Sequence, residues 1–201
     1  CMAKYLYDNH IVRKEEMTIE TDKGTKTVRV YTTDGKVTSA CVDMGYAALD
    51  TTALHLNIPE RQVVDYPVEI GGQSWNITCV DMGNPHCVVF CPRVDGVDVG
   101  TVGPLFEHAP YFPDRINTEF IRVVNPSTIK MRVWERGSGE TMACGTGACA
   151  AVVAAVAAGQ CEKGRDITVR VRGGDLVVNY TDEKVTLTGD ARLVYTGEVE
   201  Y

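Results

Sequence analysis

A glycine-rich segment that ends at a cysteine is the part of the sequence best suited to chemistry. It reads Trp134-Glu135-Arg136-Gly137-Ser138-Gly139-Glu140-Thr141-Met142-Ala143-Cys144-Gly145-Thr146-Gly147-Ala148-Cys149. A strand-like run ends in the acid-base pair Glu135-Arg136, and Cys144 follows where a helix is predicted to begin. The first N–H groups of a helix lack partners within it, so with the helix dipole they form a site for a carboxylate. The same field is expected to lower the pKa of the Cys144 thiol from ~8.5 to ~3.5–7.5.

The alternative for Cys144 is a buried structural cysteine. That interpretation leaves Gly145, Gly147 and the neighbouring acid-base pair without a purpose, whereas glycines allow a ligand to approach the backbone closely. Cys149 lies five residues into an apolar stretch, so we predict that it is a core residue.

Two weaker motifs add candidate side chains. Met82-Gly83-Asn84-Pro85-His86 joins two hydrophobic strand-like runs, and ligand-binding groups are common at such junctions. His86 is therefore a candidate, although a lone histidine is as often structural. Asn117 precedes another strand-like run, where an asparagine is more often a turn former.

The elements that must position these residues are mostly short strands. Strand-like runs separated by polar turns cover 17–20, 27–31, 37–41, 75–80, 86–90, 120–124, 129–134, 167–171, 176–180 and 185–187. An alanine-rich and valine-rich helix is predicted over 145–158, with Gly159 as its C-cap. It carries no charge, so we expect it to be buried on all sides. Residues 96–113 are predicted to be irregular or a short helix. Many strands with few helices indicate an α+β fold.

The strands near the two ends form similar triplets. The segment from Tyr31 to Thr38 resembles the segment from Tyr180 to Thr186 with one residue inserted. This similarity suggests an internal duplication, and convergent use of β-branched strands and Asp turns remains the alternative. A duplication would place a second helix-start cysteine about five or six residues upstream of Cys1. Two such thiols could take an α-proton from an amino acid and return one to the opposite face without a cofactor.

Composition limits the partners. The chain has 20 basic and 27 acidic residues and a net charge of -7, so nucleic acid and anionic membrane are poor candidates. No Cys-x-x-Cys pair occurs among the eight cysteines, so we expect no structural zinc site, no metal and reduced thiols in a cytoplasmic protein. The expected partner is a small-molecule amino-acid substrate, and a homodimer is the candidate assembly. The residues that follow Cys1 favour a helix, so we interpret the sequence as one that starts partway through a helix.

These motifs resemble the diaminopimelate epimerase family. The resemblance covers essentially all 201 residues, and its most specific parts are the segment from Glu135 to Gly147, Gly83-Asn84-Pro85-His86 and Asn117-Thr118-Glu119-Phe120. The opening residues resemble the end of the family's Cys-Gly-Asn-Gly-x-Arg-Cys motif, in which Cys1 matches the second, non-catalytic cysteine. The first catalytic cysteine is then missing, and the chain is expected to epimerise poorly or not at all.

The resemblance implies two similar halves, each a mixed sheet rolled around a central helix, with the first half truncated. Residues 1–44 would be a remnant of the N-terminal domain, 45–189 the C-terminal domain, and 190–201 a terminal strand returning toward the first domain. It implies interconversion of LL- and meso-diaminopimelate without pyridoxal phosphate, in lysine and peptidoglycan precursor synthesis.

The resemblance also implies the site residues. Cys144 would be one of two acid/base thiols, with His86 and Glu135 beside the reacting centre. The backbone of Gly145 and Thr146 would hold the reacting carboxylate. The distal end of the substrate would be held by Asn84, Asn117 and Arg136.

Three other functions stay open from the sequence. A proline racemase-like enzyme also uses two thiols, although Arg136 and two Asn side chains suit a polar distal group better than proline. A thiol hydrolase or acyltransferase would use Cys144 as nucleophile and His86 as base. A binding protein without catalysis is the third alternative.

Overall fold

The protein consists of two compact units. The structure is a computed structural model, and it describes residues 1–22 and 24–200. Unit 1 comprises Cys1–Asp43 and Thr188–Tyr201, and unit 2 comprises Met44–Leu187. Among the described residues, no helix has the length and apolar character needed to cross a membrane.

Unit 1 contains a short helix and an antiparallel three-stranded arrangement. Its elements are α1 (Met2–Asp8), β1 (Glu16–Thr21), β2 (Gly24–Thr33) and β3 (Lys36–Gly45), the last two residues of which belong to unit 2. β2 pairs with both β1 and β3. The sequence-predicted strands over 17–20, 27–31 and 37–41 are confirmed. The core contains Ala3, Met17, Val28, Val30 and Val37.

Unit 2 contains a mixed sheet, two helices and two 3-10 turns. The strands are β4 (Tyr66–Ile70), β5 (Gln73–Asp81), β6 (Pro85–Phe90), β7 (Asn117–Asn125), β8 (Thr128–Glu135), β9 (Gly139–Glu140), β10 (Asp166–Val171), β11 (Gly174–Tyr180) and β12 (Val185–Asp190), which ends in unit 1. The helices are α2 (Val99–Glu107) and α3 (Gly145–Ala157), and the 3-10 turns are Thr52–Leu54 and Val94–Gly96.

The sheet order places the candidate motifs side by side. The strands run β12-β11-β10-β8-β7-β6-β5-β4, with β9 beside β8. β6 and β7 are parallel, as are β8 and β10. The pairs β4–β5, β5–β6, β7–β8, β8–β9 and β10–β11 are antiparallel. Few helices and a mixed sheet confirm the α+β class. The sequence did not predict β4 or the two-residue β9.

The helix α3 lies against one face of this sheet. Its residues from Gly147 to Ala155 are all buried, and it packs against β5, β6, β7, β8, β10 and β11. The prediction of a helix over 145–158 is confirmed to within one residue. Burial on all sides ends at Ala155, since Val156 is half-buried and Ala157 is exposed. Gly159 has a φ of 69°, the left-handed conformation that suits a residue just beyond a helix end.

The opposite face of the sheet packs against α2, which lies within the stretch predicted to be irregular or a short helix. Trp75, Phe106 and Phe120 meet there edge to face, with ring centroids 5.3–6.3 Å apart. Because successive side chains of a strand point to opposite faces, β7 directs Phe120 toward α2 and its neighbours Glu119 and Ile121 toward α3.

Candidate active site

Cys144 caps the N-terminus of α3. Its backbone is extended, with φ -133° and ψ 117°, and its Sγ accepts a hydrogen bond from the N–H of Gly147 at 3.3 Å. The first bond of the helix runs from Ala148 N to Cys144 O at 2.9 Å. The N–H groups of Gly145 and Thr146 precede that bond, so they are free of the helix ladder and suit a carboxylate.

The pKa of Cys144 is raised, not lowered. The side chain is 7% exposed, and burial followed by the nearby Glu119 carboxylate raises the pKa of the thiol to about 11, with a smaller contribution from Glu135. Hydrogen bonds from Thr146 and Gly147 act in the opposite direction. The expectation that the helix would lower this pKa is therefore wrong, because desolvation and two carboxylates outweigh the helix terminus.

This raised pKa gives a testable pH dependence. Only the thiolate reacts with iodoacetamide, so alkylation of Cys144 should accelerate with pH up to a midpoint near 11. Mass spectrometry of the alkylated peptide measures it site by site, and the same peptide free in solution, with a midpoint at about 8.5, is the control. A midpoint near 7 in the folded protein would contradict the electrostatic description.

His86 is fully buried between two polar groups. Its Nδ1 lies 2.7 Å from Oε1 of Glu119, and its Nε2 lies 3.1 Å from Oδ1 of Asn84. The parallel pairing of β6 with β7 places His86 opposite Asn117, so Glu119 is two residues further along on the same face.

A hydrogen-bond path continues from His86 to the thiol. Asn84 donates through Nδ2 to Oγ1 of Thr146 at 3.3 Å, and that hydroxyl lies 3.5 Å from Sγ of Cys144. His86 therefore reaches Cys144 through two side chains rather than by direct contact.

Gly147 makes room for Glu119 beside the thiol. A Cβ added at this position would lie 2.6 Å from Oε1 of Glu119 and 3.2 Å from Sγ of Cys144. These distances show that the carboxylate, the thiol and the first turn of α3 are in close contact.

The turn that carries Glu135 and Arg136 is held by a buried carboxylate from α2. Glu107 is 4% exposed and accepts hydrogen bonds from Trp134 Nε1 at 2.7 Å, Gly137 N at 2.9 Å and Arg115 Nη1 at 3.2 Å. Burial opposes the charge, yet the hydrogen bonds from Trp134 and Gly137 keep the pKa of Glu107 below its usual value. On the other side of the turn, the hydroxyl of Thr141 donates to Glu135.

Asn117 connects the motifs through their backbones. Its Nδ2 donates to the carbonyl of Pro85 at 2.8 Å, and its Oδ1 accepts from the N–H of Arg136 at 2.9 Å. Arg136 also donates from its guanidinium to the carbonyl of Asp114 at 2.9 Å. The side chain expected to form a turn lies in β7 and fixes the position of Arg136.

A cavity of about 270 Å³ adjoins these residues. Its lining includes Asn84, Arg136, Asp81 and Asp114, with the remainder from Ala53, Leu54, Gly83 and Pro85. Because it carries one guanidinium, one amide and two carboxylates, the cavity presents both signs of charge to a small polar ligand.

The structure thus brings several of the sequence-predicted residues into contact. Hydrogen bonds join His86, Asn84, Thr146 and Cys144, and a second set joins Asn117 to Arg136. Glu135 acts on the thiol through its charge. Their roles toward a substrate stay predictions.

Sequence reasoning assigned no role to Glu107, Glu119 or Thr141. Glu119 stood inside the quoted motif Asn117-Thr118-Glu119-Phe120, and an acidic residue within an apolar strand is a signal that could have identified it. Thr141 also stood inside a quoted motif, the segment from Glu135 to Gly147, whereas Glu107 had no such signal.

Comparison with known proteins identifies the family. A family model described as diaminopimelate epimerase matches residues 78–200. The diaminopimelate epimerase of Pelotomaculum thermopropionicum is 46% identical over 202 residues, spanning 100% of this chain and 71% of the relative. That of Moorella thermoacetica is 44% identical over 200 residues, spanning 98% of this chain and 71% of the relative.

A solved structure supports the fold. The crystal structure of a probable proline racemase from Agrobacterium radiobacter is similar with a TM-score of 0.66 at 16% identity, over 94% of this chain and 63% of that one. At that identity the similarity concerns the fold alone. The sequence relatives and the family model match this chain over the segment that carries Cys144, and the chain belongs to the diaminopimelate epimerase family.

Proposed function

We propose that this protein interconverts LL- and meso-diaminopimelate by proton transfer at an α-carbon, without pyridoxal phosphate. The observation that carries the proposal is the position of the Cys144 thiol at the start of α3, next to the free N–H groups of Gly145 and Thr146. A carboxylate bound to those groups would bring the adjoining α-carbon to the thiol. Family membership supports the same reaction.

Cys144 would act as one of two acid/base groups. As the thiolate it takes the α-proton, and the electron pair left on the α-carbon spreads into the carboxylate, where helix N–H groups stabilise the added charge. Return of a proton to the opposite face by a second acid inverts the centre. In the reverse direction the Cys144 thiol donates the proton, and its raised pKa keeps it protonated for that role at neutral pH.

The charged cavity suits the distal end of diaminopimelate. That end carries a carboxylate and an ammonium group, and Arg136 can bind the first while Asp81 and Asp114 attract the second. Asn84 lines the same cavity, and Asn117 holds the backbone of Arg136. Proline has no distal charged group to occupy it.

The domain assignment, location and assembly belong to the same proposal. We place 45–189 as the C-terminal epimerase domain, 1–44 as part of the N-terminal domain and 190–201 with that N-terminal domain, supported by the two compact units. The strand expected over 190–201 is not part of this proposal, because β12 ends at Asp190 and residues 191–200 form no strand. A cytoplasmic location is supported by the cysteine spacing. Sedimentation velocity would test the homodimer.

The arrangement of His86 does not favour a thiol hydrolase. A cysteine nucleophile needs its base within hydrogen-bond reach, whereas the two ring nitrogens of His86 face Glu119 and Asn84.

Hydrogen exchange at the α-carbon tests the proposed reaction. The 201-residue chain is incubated in D₂O with LL-diaminopimelate, meso-diaminopimelate, lysine or proline, and loss of the α-hydrogen signal is followed by NMR. Exchange is the readout because it needs only one acid/base group, whereas inversion needs two. We expect exchange of diaminopimelate, with lysine about 100-fold slower because it lacks the distal carboxylate.

The controls distinguish the alternatives. Faster exchange of proline than of diaminopimelate would favour a proline racemase-like activity. Formation of an acyl-enzyme at Cys144 from a thioester, without α-hydrogen exchange, would overturn the proposal in favour of a hydrolase or acyltransferase.

A further inference from the structure

Glu119 is a buried carboxylate without an assigned role. It lies in β7 with a fully buried side chain, and its Oε2 has no hydrogen-bond partner among the described residues. Burying an ionisable group with an unpaired oxygen is costly. Because this burial lowers stability, Glu119 calls for a functional explanation.

The second carboxylate oxygen joins two parts of the site. Oε1 lies 2.7 Å from Nδ1 of His86, and it would lie only 2.6 Å from a Cβ at position 147. Glu119 therefore contacts the histidine on β6 and the first turn of α3 at once.

Contacts continue from Glu119 to the thiol. The successive distances are 2.7 Å from Glu119 to His86, 3.1 Å from His86 to Asn84, 3.3 Å from Asn84 to Thr146 and 3.5 Å from Thr146 to Cys144. A shift at the buried end of such a network moves every later member, because each side chain has few alternative partners.

We propose that Glu119 is a positioning residue for the Cys144 thiol: it fixes the His86 ring, and through Asn84 and Thr146 it orients the thiol, while its charge acts on the sulfur directly. The catalytic part of this inference rests on the proposed epimerase function. The effect on the thiol itself does not.

Several charged and titratable groups contribute to the surroundings of Cys144. They are Glu119 from β7, Glu135 at the end of β8, His86 from β6 through the hydrogen-bond path, and Cys149 one turn further along α3. Of these four groups, Glu119 alone both belongs to the hydrogen-bond path that ends at the thiol and carries a charge that opposes ionisation of the thiol. Substituting this residue should therefore change both orientation and reactivity.

The first test is the pH profile of Cys144 alkylation in Glu119→Gln. Glutamine keeps the size of the side chain and removes its charge, so the midpoint should fall and alkylation by iodoacetamide at pH 9 should become about 3- to 10-fold faster. Glu140→Gln is the matched control, because that carboxylate pairs with Arg132 and does not act on Cys144. An unchanged profile in folded Glu119→Gln would overturn the proposal.

The second test separates turnover from binding. In α-hydrogen exchange of diaminopimelate, Glu119→Gln should reduce kcat by about 10- to 100-fold, with KM changed by less than about 3-fold, because the thiol is misoriented while the ligand contacts remain. Circular dichroism measures the folded fraction of each variant. If exchange falls only in proportion to the folded fraction, the result would count against a positioning role.

A second variant covers the case in which Glu119→Gln does not fold. Thr146→Val removes only the hydroxyl that links Asn84 to Cys144 and keeps the backbone N–H. We expect a similar loss of kcat and slower alkylation, since that hydroxyl lowers the pKa of Cys144. Unchanged kcat in folded Thr146→Val would overturn the path. If wild type shows no exchange at all, the proposed function fails while the alkylation result still decides the role of Glu119.

Discussion

Cys144→Ala should abolish α-hydrogen exchange of diaminopimelate while leaving its binding within about 3-fold of wild type. In the proposed reaction the Cys144 thiolate takes the α-proton, and loss of a general base costs up to about 10⁴-fold. In the proposed binding mode the carboxylate contacts would come from the backbone N–H groups of Gly145 and Thr146 at the start of α3, which the substitution retains. NMR exchange and isothermal titration calorimetry measure the two quantities separately.

Cys149→Ala is the matched control for this substitution. Cys149 is fully buried in the same helix, and burial raises its pKa to about 12, so it has no expected part in proton transfer. This variant should exchange diaminopimelate at nearly the wild-type rate. Residual exchange above about a tenth of wild type in Cys144→Ala, or loss of its folded state, would instead support a structural cysteine.

Gly147→Ala should have the second-largest effect on the site. The added methyl group would lie 2.6 Å from Oε1 of Glu119 and 3.2 Å from the Cys144 sulfur, so the carboxylate or the first turn of α3 must move. We expect exchange to fall by about 100-fold, because a displacement of this size misaligns the thiol. Overpacking should lower the free energy of unfolding by about 1–3 kcal/mol.

Gly100→Ala provides the control for a glycine substitution within a helix. A Cβ at this position in α2 would approach only Asp98 Oδ1, at 3.7 Å, and alanine favours a helix interior by up to about 1 kcal/mol. Urea unfolding should show this variant to be at least as stable as wild type, with full exchange activity. Gly147→Ala with normal exchange would show that Glu119 and the thiol are not tightly packed.

Local pattern was sufficient to predict the long helix and most of the strands of the fold. The helix over 145–158 followed from a run of alanine and valine that ends at Gly159, and the long strands followed from β-branched runs between polar turns. β4 carries Pro67 within a five-residue strand, a residue that argues against a strand when only the sequence is considered. β9 has two residues and depends on pairing with β8, so it has no local pattern.

The chemistry of Cys144 was only partly predictable. The sequence identified the helix terminus that surrounds the thiol, since Gly145 and Gly147 are adjacent to it. The sign of the pKa shift depends first on burial and then on Glu119, which is 25 positions earlier in the sequence. Burial and a carboxylate from a neighbouring strand are consequences of sheet register, which spacing along the chain does not show.

Asn117 shows the same limit for a polar side chain. The sequence placed it before a strand and suggested a turn, or a substrate contact from the family resemblance. In the fold its amide joins the carbonyl of Pro85 to the N–H of Arg136. That role requires β6, β7 and the turn after β8 to meet, and only the tertiary structure brings them together.

Graded alkylation of Cys144 tests most directly whether its thiol transfers the α-proton. The wild-type chain is treated with increasing iodoacetamide at high pH and returned to neutral pH, the modified fraction at each cysteine is mapped by mass spectrometry, and α-hydrogen exchange of diaminopimelate is then measured. The exposed Cys1 is the internal reference. We expect the lost fraction of exchange to equal the modified fraction of Cys144, and prior diaminopimelate binding to protect both the activity and the thiol. Exchange that persists when Cys144 is fully modified would contradict it.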